Sequence, residues 1–337
     1  MNGSKFLIRD ALGRKTGLVD RHILIVSGLS LLLYFILPFR TLPTEILVFA
    51  LGAVSFNILL GYTGLLSFGQ GAFFGSGAYA AGLLLIHFHW HPLLILLLSA
   101  FLAASIAAVI GFLSIRQVGI YFVMLTLAFN QLVYFIVYQW KSLTGGDDGL
   151  LNIARPDLSV LPGLAVPLQT NFQFFIFVWA IFIVVLVVIR RITDSPFGRI
   201  LVAIRENPDR GRAVGYNIFH YKLLAFIISG FFTGLAGGLY TLFLKMVPIT
   251  TVDIITSSDF VIMSLVGGTR SLYGPILGAA IIKIASEFLS QIWSRWMIVL
   301  GLIFVSFVLF MRGGLWGLLL NLRKKLFAPK MEGEGRS

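Results

Sequence analysis

The feature that most constrains this chain is a near-continuous series of long apolar runs, broken only by short polar or basic segments. A helix needs about 20 mainly apolar residues to cross the hydrocarbon core of a bilayer. Runs of that kind recur at His22–Leu37, Glu45–Leu60, Leu65–His87, Leu93–Ile115, Ile120–Trp140, Phe172–Ile192, Leu223–Leu244, Tyr273–Ile292 and Met297–Met311. Ile254–Val266 is apolar but short for a full crossing. Only 12% of residues are charged, against about a quarter in soluble domains. The expected fold is therefore an all-α polytopic membrane bundle. It has about ten membrane segments, at least one broken or re-entrant. Residues 22–317 form the transmembrane domain, between segments 1–21 and 318–337.

Charge sets the expected orientation. The net charge of +12 sits in short loops, where the excess of Lys and Arg on the cytoplasmic side of membrane proteins explains it better than nucleic-acid binding does. Lys5, Arg9, Arg14, Lys15 and Arg21 precede the first run, no small-residue cleavage site follows it, and Arg323, Lys324 and Lys325 follow the last. Both termini are expected on the cytoplasmic side. Loop 193–222 carries Arg199, Arg205, Arg210, Arg212 and Lys222 and belongs on the same side; loop 141–171 belongs outside.

The 193–222 loop has a pattern of its own. Pro196 suits the first turn of a helix. Ile200, Leu201, Ala203 and Ile204 make an apolar stripe at helical spacing, and Pro208 ends it. The spacing predicts a short amphipathic helix outside the bilayer, its apolar side either free to dock on another protein or folded against its own bundle. Small residues four apart predict close helix contacts: Gly71 and Gly75, then Gly230, Gly234 and Gly238, then Gly274 and Gly278. A break is expected near Gly267-Gly268-Thr269, because non-helical backbone at membrane depth is tolerated only inside protein or along water.

No catalytic constellation is present. There is no cysteine, hence no disulfide or thiolate site. No Gly-Lys-Ser/Thr triplet occurs, so no phosphate-cradling loop for ATP is expected on this chain. His87, His89 and His91 alternate with Phe88 and Trp90 at a span end, which suits an interfacial belt better than a metal site. Asp147-Asp148 lacks the oxygen-ligand series of a calcium loop and the second acidic pair that a membrane transferase would use. Polar residues within spans mark candidate path positions: Asn57, Ser67, Gln70, Thr126 and Asn130. Lys283 and Glu287 stand four apart and can pair. The scarcity of isolated carboxylates argues against a proton-driven secondary carrier, the alternative to a permease driven from outside.

Several of these stretches resemble LivM-type permeases, the membrane subunits of branched-chain amino acid ABC importers. They are the run Phe56 to Gly75 (FNILLGYTGLLSFGQGAFFG), Thr144 to Leu150 (TGGDDGL), Ser195 to Arg199 (SPFGR), Ala203 to Asn207 (AIREN), Gly234 to Gly238 (GLAGG), and Gly267-Gly268 with Gly274 to Gly278 (GPILG). Order and spacing agree from about Ile46 to Gly317. The resemblance implies that Gly198, Arg199, Ala203, Ile204, Arg205, Glu206 and Asn207 form a coupling helix seated on an ATPase subunit. It implies a second, LivH-like permease chain, two ATPases that hydrolyse ATP, an extracytoplasmic binding protein, and a multi-pass location in the cell (inner) membrane. No cofactor is expected on this chain. The substrate class it implies is branched-chain amino acids, with urea and short amides as relatives' cargo.

Overall fold

The computed structural model describes residues 21–317 except 89, 157, 162–163, 167, 293–294, 296, 300, 303, 306–313. The segments expected at 1–20 and 318–337, with Arg323, Lys324 and Lys325, lie outside the described residues, as does His89. The Met297–Met311 run is described only in part.

The chain forms helices α1 (Arg21–Ile36), α2 (Leu42–Asn57), α3 (Gln70–His87), α4 (Pro92–Ser114), α5 (Ile120–Gln139), α6 (Asn171–Asp194), α7 (Pro196–Glu206), α8 (Pro208–Ala213), α9 (Ile218–Leu244), α10 (Ile254–Gly267) and α11 (Gly274–Ile292). Among the described residues, six helical stretches are long and apolar enough to cross a membrane: Leu42–Thr63, Pro92–Ser114, Ile120–Gln139, Asn171–Asp194, Ile218–Leu244 and Gly274–Ile292. The helix at Gln70–His87 is diluted by glycine, and α1 and α10 are short. Beyond the helices, one antiparallel hairpin, β1 (Leu158–Leu161) with β2 (Leu164–Val166), sits in the 141–171 loop. It marks one end of the bundle. The basic helices α7 and α8 mark the other.

Helix α9 is the central post, packed on α4, α3 and α2. It gets that close because it has little side chain where it meets them. A Cβ placed on Gly230 would meet the Ala107 methyl, one on Gly234 the Ala103 methyl, and one on Gly238 the Ser99 hydroxyl. Small residues at four-residue spacing on α9 thus face small residues at four-residue spacing on α4, in opposite order. That is how helix backbones gain van der Waals contact where apolar burial supplies no drive between them. On the neighbouring side of α9, Gly237 lies against the Phe74 carbonyl, and Gly77 of α3 against Gly234. Gly274 and Gly278 seat α11 on α10, against Gly268 and the Met263 carbonyl. Gly71 and Gly75 face Asp253 and Val252, so that pair receives a loop segment, not a helix.

The interruptions are placed differently from the expectation. The Leu65–His87 run is not one helix. Helix α2 runs on as a π-helical turn, Ile58–Thr63, the rare wide turn that tends to occur at functional places. Gly64 then turns the chain with φ of 74°, and residues 64–69 are unwound before α3 begins at Gln70. A second interruption precedes α10, where a single 3₁₀ turn, Ile249–Val252, leads to Asp253. The break at Gly267-Gly268 exists as well, as the tight joint between α10 and α11. The periodic apolar pattern hides the Leu65–Gly69 break because Leu65, Ser67 and Gly69 are buried whether or not they are helical.

Lys283 pairs with Glu45 of α2 at 2.8 Å instead of with Glu287, and its ammonium lies 3.3 Å from the Phe49 ring centroid. Glu287 accepts from Gln291 on its own helix. The cation–π face and a carboxylate at a helix N-terminus hold the charge better than an exposed Lys-then-Glu pair on one helix. Near the hairpin, Arg155 donates to the carbonyls of Leu242 (2.9 Å), Phe243 (3.0 Å) and Leu168 (3.1 Å) and lies over Phe174. Two of those carbonyls close the last turn of α9, which has no intrahelical donors for them. Burial lowers the pKa of this guanidinium from its ordinary value, yet arginine remains charged.

Candidate functional site

Two regions bring the candidate residues together, one inside the bundle and one at its basic end.

The interior region forms where the unwound 64–69 stretch meets the start of α3. The first N–H groups of a helix have no partners within it. Here they are met by side chains from other elements. Gly71 N–H donates to Ser257 Oγ of α10 (2.6 Å), and Ala72 N–H donates to Asn130 Oδ1 of α5 (2.6 Å). Asn130 Nδ2 donates in turn to the Val252 carbonyl (3.0 Å). Phe68 N–H donates to Thr126 Oγ1 (3.2 Å), and Gly69 N–H donates to Ser67 Oγ (3.1 Å). Gln70 uses both ends of its amide. Its Nε2 donates to Ser229 Oγ (3.2 Å), whose hydroxyl donates to the Ser55 carbonyl (2.8 Å); its Oε1 accepts from Thr233 Oγ1 (2.9 Å). The contact with Ser55, well inside α2, places the start of α3 at the depth of the bundle interior.

Ser67, Gln70, Thr126 and Asn130 are thus one connected set, and all are fully buried. Thr126 and Ser67 hold the unwound backbone, Asn130 ties the first turn of α3 to the Val252 carbonyl, and Gln70 ties it to Ser229 and Thr233 of α9. Asn57 stands apart, toward the basic end, where its Nδ2 donates to the Ser271 carbonyl (3.0 Å) in the joint between α10 and α11. Sequence reading missed Ser257, Ser229 and Thr233. Ser229 and Thr233 did leave a trace, standing four apart beside Gly230 and Gly234 on the same helix. Ser257 left none, because it is paired only through the fold.

The basic end carries the predicted amphipathic helix as α7. Pro196 opens it and Ser195 precedes it. Gly198 lies against the Thr193 carbonyl, so a side chain there would push α7 off the end of α6. Leu201 and Ile204 are buried, and Ile200 is half-buried, against the chain's own bundle. Most of the apolar stripe is therefore occupied at home, with Ala203 left on the outside. Arg199, Ala203, Glu206 and Asn207 are the exposed face. Asn207 ends α7 and accepts from Arg210 N–H (3.0 Å) to cap α8, as Asn does at a helix N-terminus. Arg205 turns inward. Its guanidinium donates to the Gly61 carbonyl in the π-helical turn, and its stem packs on Gly64. The two regions are linked through this side chain, since the turn it grips leads directly into the unwound stretch.

Among the described residues no group of His, Asp or Glu is arranged to hold a metal ion. Apolar helices that seat glycine on alanine, bury amides and hydroxyls on one another's backbones, and carry a basic amphipathic helix at one end define a multi-pass membrane protein. Comparison with known proteins narrows the class. Residues 41–308 match the family described as the branched-chain amino acid transport system permease component, and the chain belongs to that family. It is 27% identical over 292 residues to the high-affinity branched-chain amino acid transport system permease protein LivM of Escherichia coli (strain K12), covering 81% of this chain and 69% of that protein. The LivM protein of Salmonella typhimurium is similar at 27% over 295 residues, with the same coverage. A probable branched-chain amino acid transport permease protein LivH of Methanocaldococcus jannaschii is 28% identical over 237 residues, covering 66% of this chain and 71% of that protein. No solved structure matches the chain.

Proposed function

We propose that this chain is one of two permease chains of an ABC importer that moves branched-chain amino acids, or a related small solute, handed over by an extracytoplasmic binding protein. A LivH-like chain is the partner, and separate subunits bind and hydrolyse ATP. The basic end is cytoplasmic and the hairpin end is outside, with ten passes when α1, α3, α10 and the partly described 297–311 run are counted. The observation that carries the reading is the two-sided packing of α7. One side is anchored by Leu201, Ile204 and Arg205. The other offers Arg199, Glu206 and Asn207, with Ala203 among them, as an exposed surface. A helix anchored in this way moves as a lever with its bundle when something grips its outer face. The joint with the unwound stretch through Arg205 gives the lever an interior end, as the broken helices of other transporters do in alternating access. The solute path then runs between the two permease chains; Ser67, Gln70, Thr126 and Asn130 hold the broken helix beside it, and Asn57 holds the joint between α10 and α11.

The test is gentle purification of the tagged chain from its own membranes. Expected companions are a second permease and an ATPase. Arg199→Glu with Ala203→Asp should lose the ATPase and keep the second permease, because both positions lie on the outer face. A chain that arrives alone and moves solute into liposomes without ATP would establish a stand-alone carrier instead.

A further inference from the structure

The seam between α9 and α4 continues past its glycines to the basic end, and there it brings two cations together. Beyond the contacts of Gly238 with Ser99, Gly234 with Ala103 and Gly230 with Ala107, the Phe226 ring packs on Gly111 with Leu223 beside it. Each four-residue step back along α9 thus meets a four-residue step forward along α4. One further step sets Lys222 opposite Ile115. The next residue, Arg116, holds its guanidinium 4.6 Å from the Phe112 ring centroid and 6.0 Å from that of Phe219. Phe219 precedes Lys222 by three residues and so neighbours it on one face of α9. Arg116 and Lys222 therefore stand together across the end of the seam.

Three observations set this pair apart from other basic residues at the same end. Arg190 is paired with Asp194, Arg212 is paired with Asp209, and Arg205 donates to the Gly61 carbonyl. Among the described residues, Arg116 and Lys222 have neither an ion pair nor a side-chain hydrogen bond. Both are also held in place, Arg116 against ring faces and Lys222 half-buried on the packing face of α9. Like charges fixed side by side disfavour each other's charged form, and an anion between them reverses that. Lastly, the surface around them is open and apolar. Phe112 and Leu113 at the end of α4, Val118 in the turn, and Ile120 and Tyr121 at the start of α5 are all exposed. A soluble anion would meet the charges and leave that surface unused. A phospholipid meets both, because its phosphate accepts charge-assisted hydrogen bonds from Arg and Lys and its acyl chains cover apolar helix faces. Basic pockets between membrane helices take anionic headgroups in this way.

We propose that Arg116 and Lys222 bind the phosphate of an anionic phospholipid whose acyl chains lie along the ends of α4 and α5. The site does not depend on which solute the permease carries. Arg116 is exposed, so Arg116→Gln removes one of the two charges without opening the core.

The experiment uses the purified complex, stripped of its own lipid in detergent. Phosphatidylglycerol and phosphatidylcholine with identical acyl chains are titrated in, and bound lipids are counted by native mass spectrometry. The first lipid bound should be phosphatidylglycerol, preferred about thirtyfold, at about fivefold for each cation. Arg116→Gln with Lys222→Gln should abolish that preference. Arg191→Gln with Arg270→Gln, which removes two exposed charges elsewhere at the basic end, should keep it. Arg116→Gln alone should lower the preference about fivefold, and it decides the matter if the double variant does not assemble. A preference untouched by Arg116→Gln, or lowered equally by the Arg191 and Arg270 pair, would overturn the site. Displacement of the bound lipid by an equal concentration of inorganic phosphate would overturn it in favour of a soluble anion. Loss of the ATPase from the Arg116 and Lys222 double variant, with phosphatidylglycerol binding unchanged, would overturn it in favour of a protein contact.

Discussion

The seam between α9 and α4 yields a prediction with a compensating partner. A Cβ on Gly234 would occupy the space of the Ala103 methyl, while its other neighbours, the carbonyls of Phe73 and Ser99, lie at an ordinary 3.5 Å. Gly234→Ala therefore collides with one atom, and that atom can be removed. Overpacking by a methyl group costs about 1–3 kcal/mol, from which about 1 kcal/mol is recovered because alanine favours helix over glycine. Ala103→Gly alone loses about 1 kcal/mol of helix propensity and one methyl contact. In the double variant the propensity changes cancel and the collision disappears, so it should return to within about 1 kcal/mol of the original protein. The coupling energy between the sites should be roughly 1–3 kcal/mol in the stabilising direction, in the range found for residues in contact. Thermal unfolding in one detergent, with all four proteins side by side, is the assay. Each single variant should melt lower than the original, by about 2–4 °C per kcal/mol on the scale of large domains. A double variant no more stable than Gly234→Ala would refute the close approach of these two helices.

Two other outcomes follow from particular contacts. Arg205→Met keeps the stem on Gly64 and removes the bond to the Gly61 carbonyl, worth about 1.5–3 kcal/mol for a charged donor; trypsin should then cut faster at Arg199, Arg210 and Arg212 in the folded protein, and unchanged cleavage would show that α7 is held by its apolar side alone. Glu45→Gln removes the paired carboxylate from the half-buried Lys283, a loss of about 1.5–3 kcal/mol for a charged hydrogen bond, and Glu45→Gln with Lys283→Met should recover most of it; equal detergent stability of Glu45→Gln and the original protein would mean the pair is neutral.

How much could be read in advance varied with the range of the interaction. The helical character, the basic end, the α7 helix starting at Pro196 and the glycine spacings are local or periodic properties of the chain, and the sequence by itself determined them. Apolar runs of membrane length have no other stable form, since backbone groups in lipid must be satisfied within the helix. The polar residues Ser67, Gln70, Thr126 and Asn130 could be picked out because a buried amide or hydroxyl among apolar neighbours stands out in any window.

What each of them touches could not be read. Asn130 meets Ala72 and Val252, and Gln70 meets Ser229 and Thr233, across separations no periodicity encodes. The inward turn of Arg205 and the burial of Ile204 were likewise decided by the tertiary structure, because an amphipathic stripe specifies that a face will be covered and not by what. The unwinding at Gly64 to Gly69 belongs in the same class. The isolated segment could continue α2 or start α3, and in the bundle Thr126 arrives from α5 to take the Phe68 N–H while Ser257 and Asn130 take the first N–H groups of α3 at Gly71 and Ala72. Hydrogen-bond satisfaction in a dry interior is a property of the assembled bundle, which is why only the fold could place it.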